Sequence, residues 1–303
     1  MLYNQNKSET SKFNFLAYSK ILLELMKPRV MSLVIFTCAV GLLTSPTTIP
    51  LFDSLIGILF VTLGAGAAGA LNMWYEADLD KLMTRTCLRP IPTGKVNREH
   101  ALVFGILLSV ISILGLYYFA NTLSAILLFI TISFYLFVYT IWLKRKTPQN
   151  IVIGGVAGAL PPVIGWTIAT NTLTFEPITF FLIIFFWTPS HFWALSLYRI
   201  DDYKKANIPM LPITNGIEET KKNIFIYSLV MIPVVLIPYF IGFAGEFYLV
   251  ISLLLTFYYN LVCYKLLNFK KNKFETDKAK KVFAYSIFYL FLLFVLFLID
   301  KLI

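Results

Sequence analysis

Along the chain, hydrophobic residues come in long unbroken runs and polar residues in short clusters between them. Nine apolar runs can be drawn, over 30–48, 52–75, 101–119, 122–143, 150–170, 176–197, 224–242, 246–265 and 283–300. Each is near the roughly 20 residues that a helix needs to cross the hydrocarbon layer of a bilayer. None shows the period-two alternation of a transmembrane strand, and a helix satisfies its backbone polar groups internally. The pattern predicts an all-α integral membrane protein with nine transmembrane helices. The weakest boundary is the GFAGE break between the seventh and eighth runs. A single domain over 1–303 is expected, with 1–20 as a flexible cytoplasmic tail.

Composition agrees with that reading. The 303 residues are 58% hydrophobic and only 14% charged, where soluble globular chains carry about 25%. A net charge of +10 would suit nucleic acid, but the bases lie between oily runs and never stripe a polar surface, which excludes that partner. Cys38, Cys87 and Cys263 show neither a disulfide framework nor a metal-binding spacing. The 26 Lys and Arg residues divide very unevenly around nine spans. Five precede the first span, five separate the second and third, three form KRK at 144–146, five follow the sixth and seven follow the eighth. Only Lys301 is left for the opposite side. The positive-inside rule then predicts a cytoplasmic amino terminus and a periplasmic carboxyl terminus.

Charge also collects where an apolar run ends. The stretch NMWYEADLDKLMTRTCLRP at 72–90 follows a Gly/Ala-rich span. On a helix Asn72, Glu76 and Asp80 recur every four residues and share one face, whereas Asp78 lies off it. Oxygen side chains so aligned suit a hard divalent cation such as Mg²⁺ together with substrate phosphates. A second acidic edge, Asp201 and Asp202, ends the sixth run on the same membrane side. Lys27, Arg29, Arg85, Arg89, Lys144 and Arg145 share that side, and Arg forks and Lys ammonium groups are the usual grips on phosphate. The combination predicts a substrate with a charged head and an oily tail, such as a prenyl diphosphate. The glycine-rich 151–165 lacks the Lys-Ser/Thr ending of a phosphate loop. Close helix packing and a proline kink explain it better, and GAGAAGA at 64–70 likewise reads as close packing.

Four stretches carry a wider resemblance: KPRV at 27–30, NMWYEADLDKLMTRTCLRP at 72–90, YTIWLKRKTPQNIVIGGVAGALPPVIGW at 139–166 and FWTPSHFWALSLYRIDDYKKANIPMLP at 186–212. Through them the chain resembles the UbiA-like prenyltransferase superfamily from about residue 20 to 300. The second and fourth stretches resemble its haem-directed branch, the protohaem IX farnesyltransferases or haem O synthases. That resemblance implies a nine-helix UbiA-like bundle in a bacterial inner membrane, with Mg²⁺ as cofactor. It also implies transfer of a farnesyl group from farnesyl diphosphate to a vinyl group of haem b, with water addition, giving haem O and diphosphate. Haem A synthase or terminal oxidase assembly proteins are the implied partners, alongside membrane lipid.

Residue by residue, Asn72, Glu76 and Asp80 match the first metal motif of the superfamily and Asp202 the last acid of the second. Tyr198 stands where many members carry Asp, and Asp201 is a substitute ligand that projects about 100° from Asp202 on a helix. His191, Trp74 and Trp193 are the residues expected to meet haem. The other readings are an aromatic-acceptor prenyltransferase of the 4-hydroxybenzoate type, which shares the diphosphate chemistry, and a multispan transporter, for which broken helices at the midplane would be expected.

Overall fold

A computed structural model of the chain describes residues 15–268 and 275–303. Helix α1 (Phe15–Leu25) meets α2 (Pro28–Leu43) at a 60° bend. Long α3 (Leu51–Tyr75) leads into short α4 (Ala77–Leu82), and α5 (Arg98–Phe119) returns across the layer. The fourth run starts as α6 (Thr122–Ser133) and ends as a π-helix (Phe134–Leu143). The fifth is α7 (Asn150–Ala159) and α8 (Pro161–Thr170), divided where Pro161 and Pro162 interrupt it. Next come α9 (Phe175–Tyr198), short α10 (Ile200–Lys205) and α11 (Leu211–Thr214), then α12 (Ile217–Phe240), α13 (Glu246–Leu267) and α14 (Glu275–Asp300). Among the described residues eight helices are long and apolar enough to cross a membrane, and the bent α1–α2 pair brings the count to nine. The chain is a multi-pass membrane protein.

One boundary differs from the expected one. Residues 15–20, assigned to a flexible tail, already belong to α1. Tyr18, Ile21, Leu22 and Leu25 pack with Ala70, Met73 and Ala77, so an apolar face holds this helix against the end of α3. Residues 1–14 of that tail lie outside the described residues.

Helix packing fixes the bundle at two places. Helices α2 and α8 cross at backbone contact: a Cβ on Gly41 would fall 2.0 Å from the Pro162 carbonyl oxygen, and one on Gly165 1.9 Å from that of Cys38. At the far end of the bundle, Asp300 accepts hydrogen bonds from the Gly245 and Tyr248 amides at 2.6 and 3.1 Å. Its neighbour Lys301 donates to the Leu43 and Ser45 carbonyls that close α2. The last helix is thereby tied to both α13 and α2. Aromatic packing of Phe180, Tyr248, Phe294 and Phe297 fills the space behind that tie.

Because backbone atoms cannot retreat as a flexible side chain can, Gly165→Ala is expected to destabilise the protein by about 1–3 kcal/mol. Gly158→Ala, whose Cβ meets nothing within 4 Å, should be neutral or slightly stabilising, because Ala is the better helix former. Thermal unfolding in detergent compares them; equal midpoints would contradict the α2–α8 contact.

Candidate active site

The end of α3 carries the chemistry. Although the helix breaks at Glu76 (φ −89°, ψ 11°), the Glu76 amide still donates to the Asn72 carbonyl at 2.9 Å and the Asp80 amide to the Glu76 carbonyl at 2.8 Å. The four-residue register therefore survives the break. Asn72, Glu76 and Asp80 are each only 2% exposed. Asp78 lies off this stripe and is exposed, where it makes a two-point ion pair with Arg145 at 2.8 and 2.9 Å. Burial opposes ionisation of Asp78, but the Arg145 hydrogen bonds and charge outweigh it and hold the carboxyl below its ordinary value.

Each buried member of the stripe meets a cation from a different segment. Lys27 donates to Asn72 Oδ1. The Lys144 ammonium lies 2.5 Å from Glu76 Oε1, a contact of charge rather than an aligned hydrogen bond. Arg89 donates through one terminal nitrogen to both oxygens of Asp80 at 2.8 Å. Burying an unpaired carboxylate would cost several kcal/mol, so the bases are what allow this stripe to sit inside the bundle. Lys27 itself adopts a left-handed conformation (φ 57°, ψ 58°) in the α1–α2 bend, directly before Pro28. Such a backbone is costly for a residue with a side chain, and the following proline already disfavours a right-handed helical one.

The second acidic edge reaches the first through Thr84. Its amide and hydroxyl donate to Asp202 Oδ1 at 3.1 and 2.7 Å, and the hydroxyl also lies 2.9 Å from Oδ2. Thr86, two residues on, donates to the Asp80 carbonyl at 3.0 Å. Below them Leu79 and Met83 pack with Tyr203, Ala206 and Ile208, so α4 and α10 share one small apolar cluster. Asp201, expected as a substitute ligand, is exposed instead. Neighbours on a helix diverge by about 100°, and burying Asp202 turns Asp201 outward.

The bases divide into two groups. Lys27, Arg89 and Lys144 touch the acidic stripe. Arg29 and Arg85 are exposed, and Arg145 is engaged with Asp78. Arg85 and Arg89 are not successive turns of one helix, because α4 stops at Leu82 and Met83 is extended (φ −101°, ψ 129°).

The three residues expected to meet haem are not brought together. Trp74 packs on the α1 side of α3, beneath Arg98 at 5.6 Å. Trp193 is buried in the α9–α12 core, edge-on to Tyr227 at 5.3 Å. His191 is stacked between Trp187 and Phe283 at 4.3 and 4.5 Å. Two residues apart on a helix point to opposite sides, which separates His191 from Trp193. The His191 Nδ1 lies 2.6 Å from the Ser286 hydroxyl, which itself donates to the Phe283 carbonyl at 2.7 Å.

Sequence reasoning missed three contributors. Thr84 and Thr140 are ordinary threonines until the fold places them, and Tyr139 reads as one aromatic among many. Thr140, fully buried, accepts from Asn72 Nδ2 at 3.0 Å. In the π-helix each amide reaches five residues back, as the Lys144 amide does to the Tyr139 carbonyl at 3.0 Å. This sets the Lys144 ammonium 5.7 Å from the centre of the Tyr139 ring. A Cβ at Gly154 would lie 2.3 Å from that ring, so the glycine-rich α7 makes room for it. Among the described residues no three acidic, His or Cys side chains converge as a ready-made metal cluster; an amide oxygen and two carboxylates on one face, with a third carboxylate across Thr84, are nevertheless the ligand types a hard divalent cation takes.

Comparison with known proteins extends the picture. Residues 33–292 match the UbiA prenyltransferase family. A protoheme IX farnesyltransferase of Pelagibacter ubique is 69% identical over 300 residues, spanning 99% of this chain and 98% of that protein. Another, of Parvibaculum lavamentivorans, is 50% identical over 92% of this chain and 87% of that protein. Among solved structures, a digeranylgeranylglyceryl phosphate synthase matches with a TM-score of 0.77 at 18% identity, over 93% of this chain and 98% of that one. A UbiA homologue from Archaeoglobus fulgidus bound to DMAPP and Mg²⁺ gives 0.64 at 18% identity, over 89% and 98%. At such identities the shared property is the fold.

The Asp202–Thr84 contact yields a pH-dependent expectation. Burial opposes ionisation of Asp202, yet the Thr84 hydroxyl and amide outweigh it and lower the pKa. A carboxyl depressed on folding contributes stability above its unfolded pKa, and that contribution is lost as pH falls through the folded value. Thr84→Val should therefore cost about 1.5–3 kcal/mol near pH 7. The gap to wild type should narrow below about pH 4. A gap independent of pH in chemical unfolding would contradict the contact.

Proposed function

The chain belongs to the UbiA prenyltransferase family, and on that premise we propose that it is a protohaem IX farnesyltransferase. It would join the farnesyl group of farnesyl diphosphate to a vinyl group of haem b. The observation that carries the acceptor is the 69% identity, over 99% of this chain, to a relative bearing that name. The observation that supports the donor chemistry is the set of buried oxygens at Asn72, Glu76, Asp80 and Asp202, ringed by Lys27, Arg89 and Lys144. Grouping the acids at one end of the bundle favours this reading over a transport path through the midplane.

Asn72, Glu76, Asp80 and Asp202 would hold Mg²⁺. Bound there, it would screen the diphosphate and stabilise the charge that develops as this group leaves. The ammonium groups of Lys27 and Lys144 and the guanidinium of Arg89 add positive charge at the same place, already oriented before the substrate arrives. Heterolysis of the farnesyl C1–O bond leaves the electron pair on diphosphate. The vinyl π-electrons of haem form the new bond to C1, water captures the resulting cation, and a proton is lost to solvent. Apolar walls of the bundle receive the isoprenoid tail and keep water from the allylic carbon until the acceptor is placed.

The expected setting is a bacterial inner membrane with the site on the cytoplasmic side. Supporting this, Lys27, Arg89 and Lys144 gather at the end of the bundle opposite Lys301, which caps the far end of α2. Haem A synthase or oxidase assembly proteins would receive the product.

Purified protein incubated with haem b, farnesyl diphosphate and Mg²⁺ should form hydroxyethylfarnesyl haem, resolved by mass. Asp80→Asn and Asp202→Asn should each lower kcat by about 100-fold or more, the scale for removing one preorganised electrostatic group. Removing divalent metal should abolish turnover. Prenylation of 4-hydroxybenzoate without reaction at haem would reassign the acceptor; full activity without divalent metal would reject the assigned role of the acids.

A further inference from the structure

Asn72 is the one neutral member of the acidic stripe, and an amide has a wrong way round. With its oxygen toward the cations and the metal position it adds a ligand; reversed, it presents two N–H donors to a cationic site. Lys27 chooses between the two and Thr140 takes the nitrogen that the choice leaves facing it; three observations show this. As an ammonium Lys27 can only donate, and the atom it meets on Asn72 is then the oxygen. The Asn72 nitrogen then donates to Thr140 Oγ1 at 3.0 Å. Both side chains are buried, at 2% and 0% exposure, which keeps bulk water from taking the place of either partner.

We propose that Thr140 is a positioning residue that anchors the Asn72 amide nitrogen and so holds in place the orientation that Lys27 selects, with Oδ1 toward the metal and diphosphate. The inference rests on the divalent-metal role proposed for the stripe and extends it to a residue outside the matched acidic motifs. Thr140 belongs to the π-helix, whose following residue Lys144 meets the next member of the stripe, Glu76. One irregular segment thus orients two successive members of the stripe, Asn72 by a hydroxyl and Glu76 by an ammonium. Irregular π turns recur at functional sites because they place side chains that a regular helix would turn aside. Thr140 touches no reacting atom; it acts through Asn72.

Without the hydroxyl, the Asn72 nitrogen is left buried and unpaired, and the amide loses the anchor that holds it in the productive orientation. Groups that orient a metal ligand from behind typically change metal affinity by about 10–100-fold.

The test titrates Mn²⁺ into purified wild type, Thr140→Val and Thr140→Ser with the unreactive farnesyl thiodiphosphate present, reading free Mn²⁺ by electron paramagnetic resonance. Thr140→Val, nearly equal in volume, should bind Mn²⁺ about 10-fold or more weakly, and Thr140→Ser, which keeps the acceptor, should remain close to wild type. In turnover the Val variant should need more Mg²⁺ for half-maximal rate and recover much of its kcat at saturation. Thr140→Ala takes the place of the Val variant if that protein does not fold. Wild-type Mn²⁺ affinity in a folded Val or Ala variant would overturn the proposal, as would equal weakening in Ser and Val. No Mn²⁺ binding by wild type would instead reject the metal reading, and this inference with it.

Discussion

Polar and charged groups removed from water need partners, and at the end of α3 each partner comes from a different part of the chain. Lys27 arrives from the strained bend between α1 and α2, Lys144 from the end of the π-helix, and Arg89 from the loop after α4. Thr84, in that loop, takes Asp202 from α10. Removing one partner of a buried pair costs on the order of 3–5 kcal/mol, far more than a surface pair contributes. The requirement for neutrality therefore draws these segments to one place, whereas apolar packing alone would only align the helices side by side. It also leaves the bases where a phosphate-bearing substrate would need them.

The surrounding architecture serves that convergence. Glycine contacts bring α2 and α8 to backbone distance, and the Asp300 and Lys301 contacts tie the last helix to its neighbours at the opposite end. The charged end carries irregular backbone of its own: a left-handed Lys27, a broken helix at Glu76 and a π-helix. Irregular backbone at membrane depth persists where protein or a cavity satisfies its polar groups. Here Asn72 and Asp80 accept hydrogen bonds from Lys27 and Arg89, and Glu76 faces the Lys144 ammonium, the same bases that would meet substrate.

Much of this was legible in the sequence, for physical reasons. Spans are set by length and hydropathy, and the runs drawn at 52–75, 101–119 and 150–170 match helices at 51–75, 98–119 and 150–170 within a few residues. The Asn72–Glu76–Asp80 stripe was legible because a four-residue spacing survives even a helix break, provided that the amide bonds bridge it. The bases were harder to sort. Positive-inside placement puts many on one side, and only tertiary structure distinguishes Lys144, on Glu76, from Arg145, on Asp78. Thr84 and Thr140 carried no signal, since a threonine in an apolar or loop segment usually bonds its own backbone. The aromatic trio His191, Trp74 and Trp193 does not converge, because aromatic content in a membrane bundle reports packing first. Trp193 is core, and His191 is held by two rings and Ser286.

Pairing Glu76 and Asp80 with bases has a consequence for loading. Diphosphate and a divalent cation together bring both signs of charge, so acids can pass from base to metal while bases pass from acid to phosphate, with little net charge left unpaired at the end. Either component alone would strand one set of charges. A structure of the protein with farnesyl thiodiphosphate and Mg²⁺ tests this exchange of partners most directly. In it, Lys27, Lys144 and Arg89 are expected to have left Asn72, Glu76 and Asp80 for diphosphate oxygens, with the acids turned to the metal. Diphosphate bound while all three of these contacts remain intact would contradict the exchange.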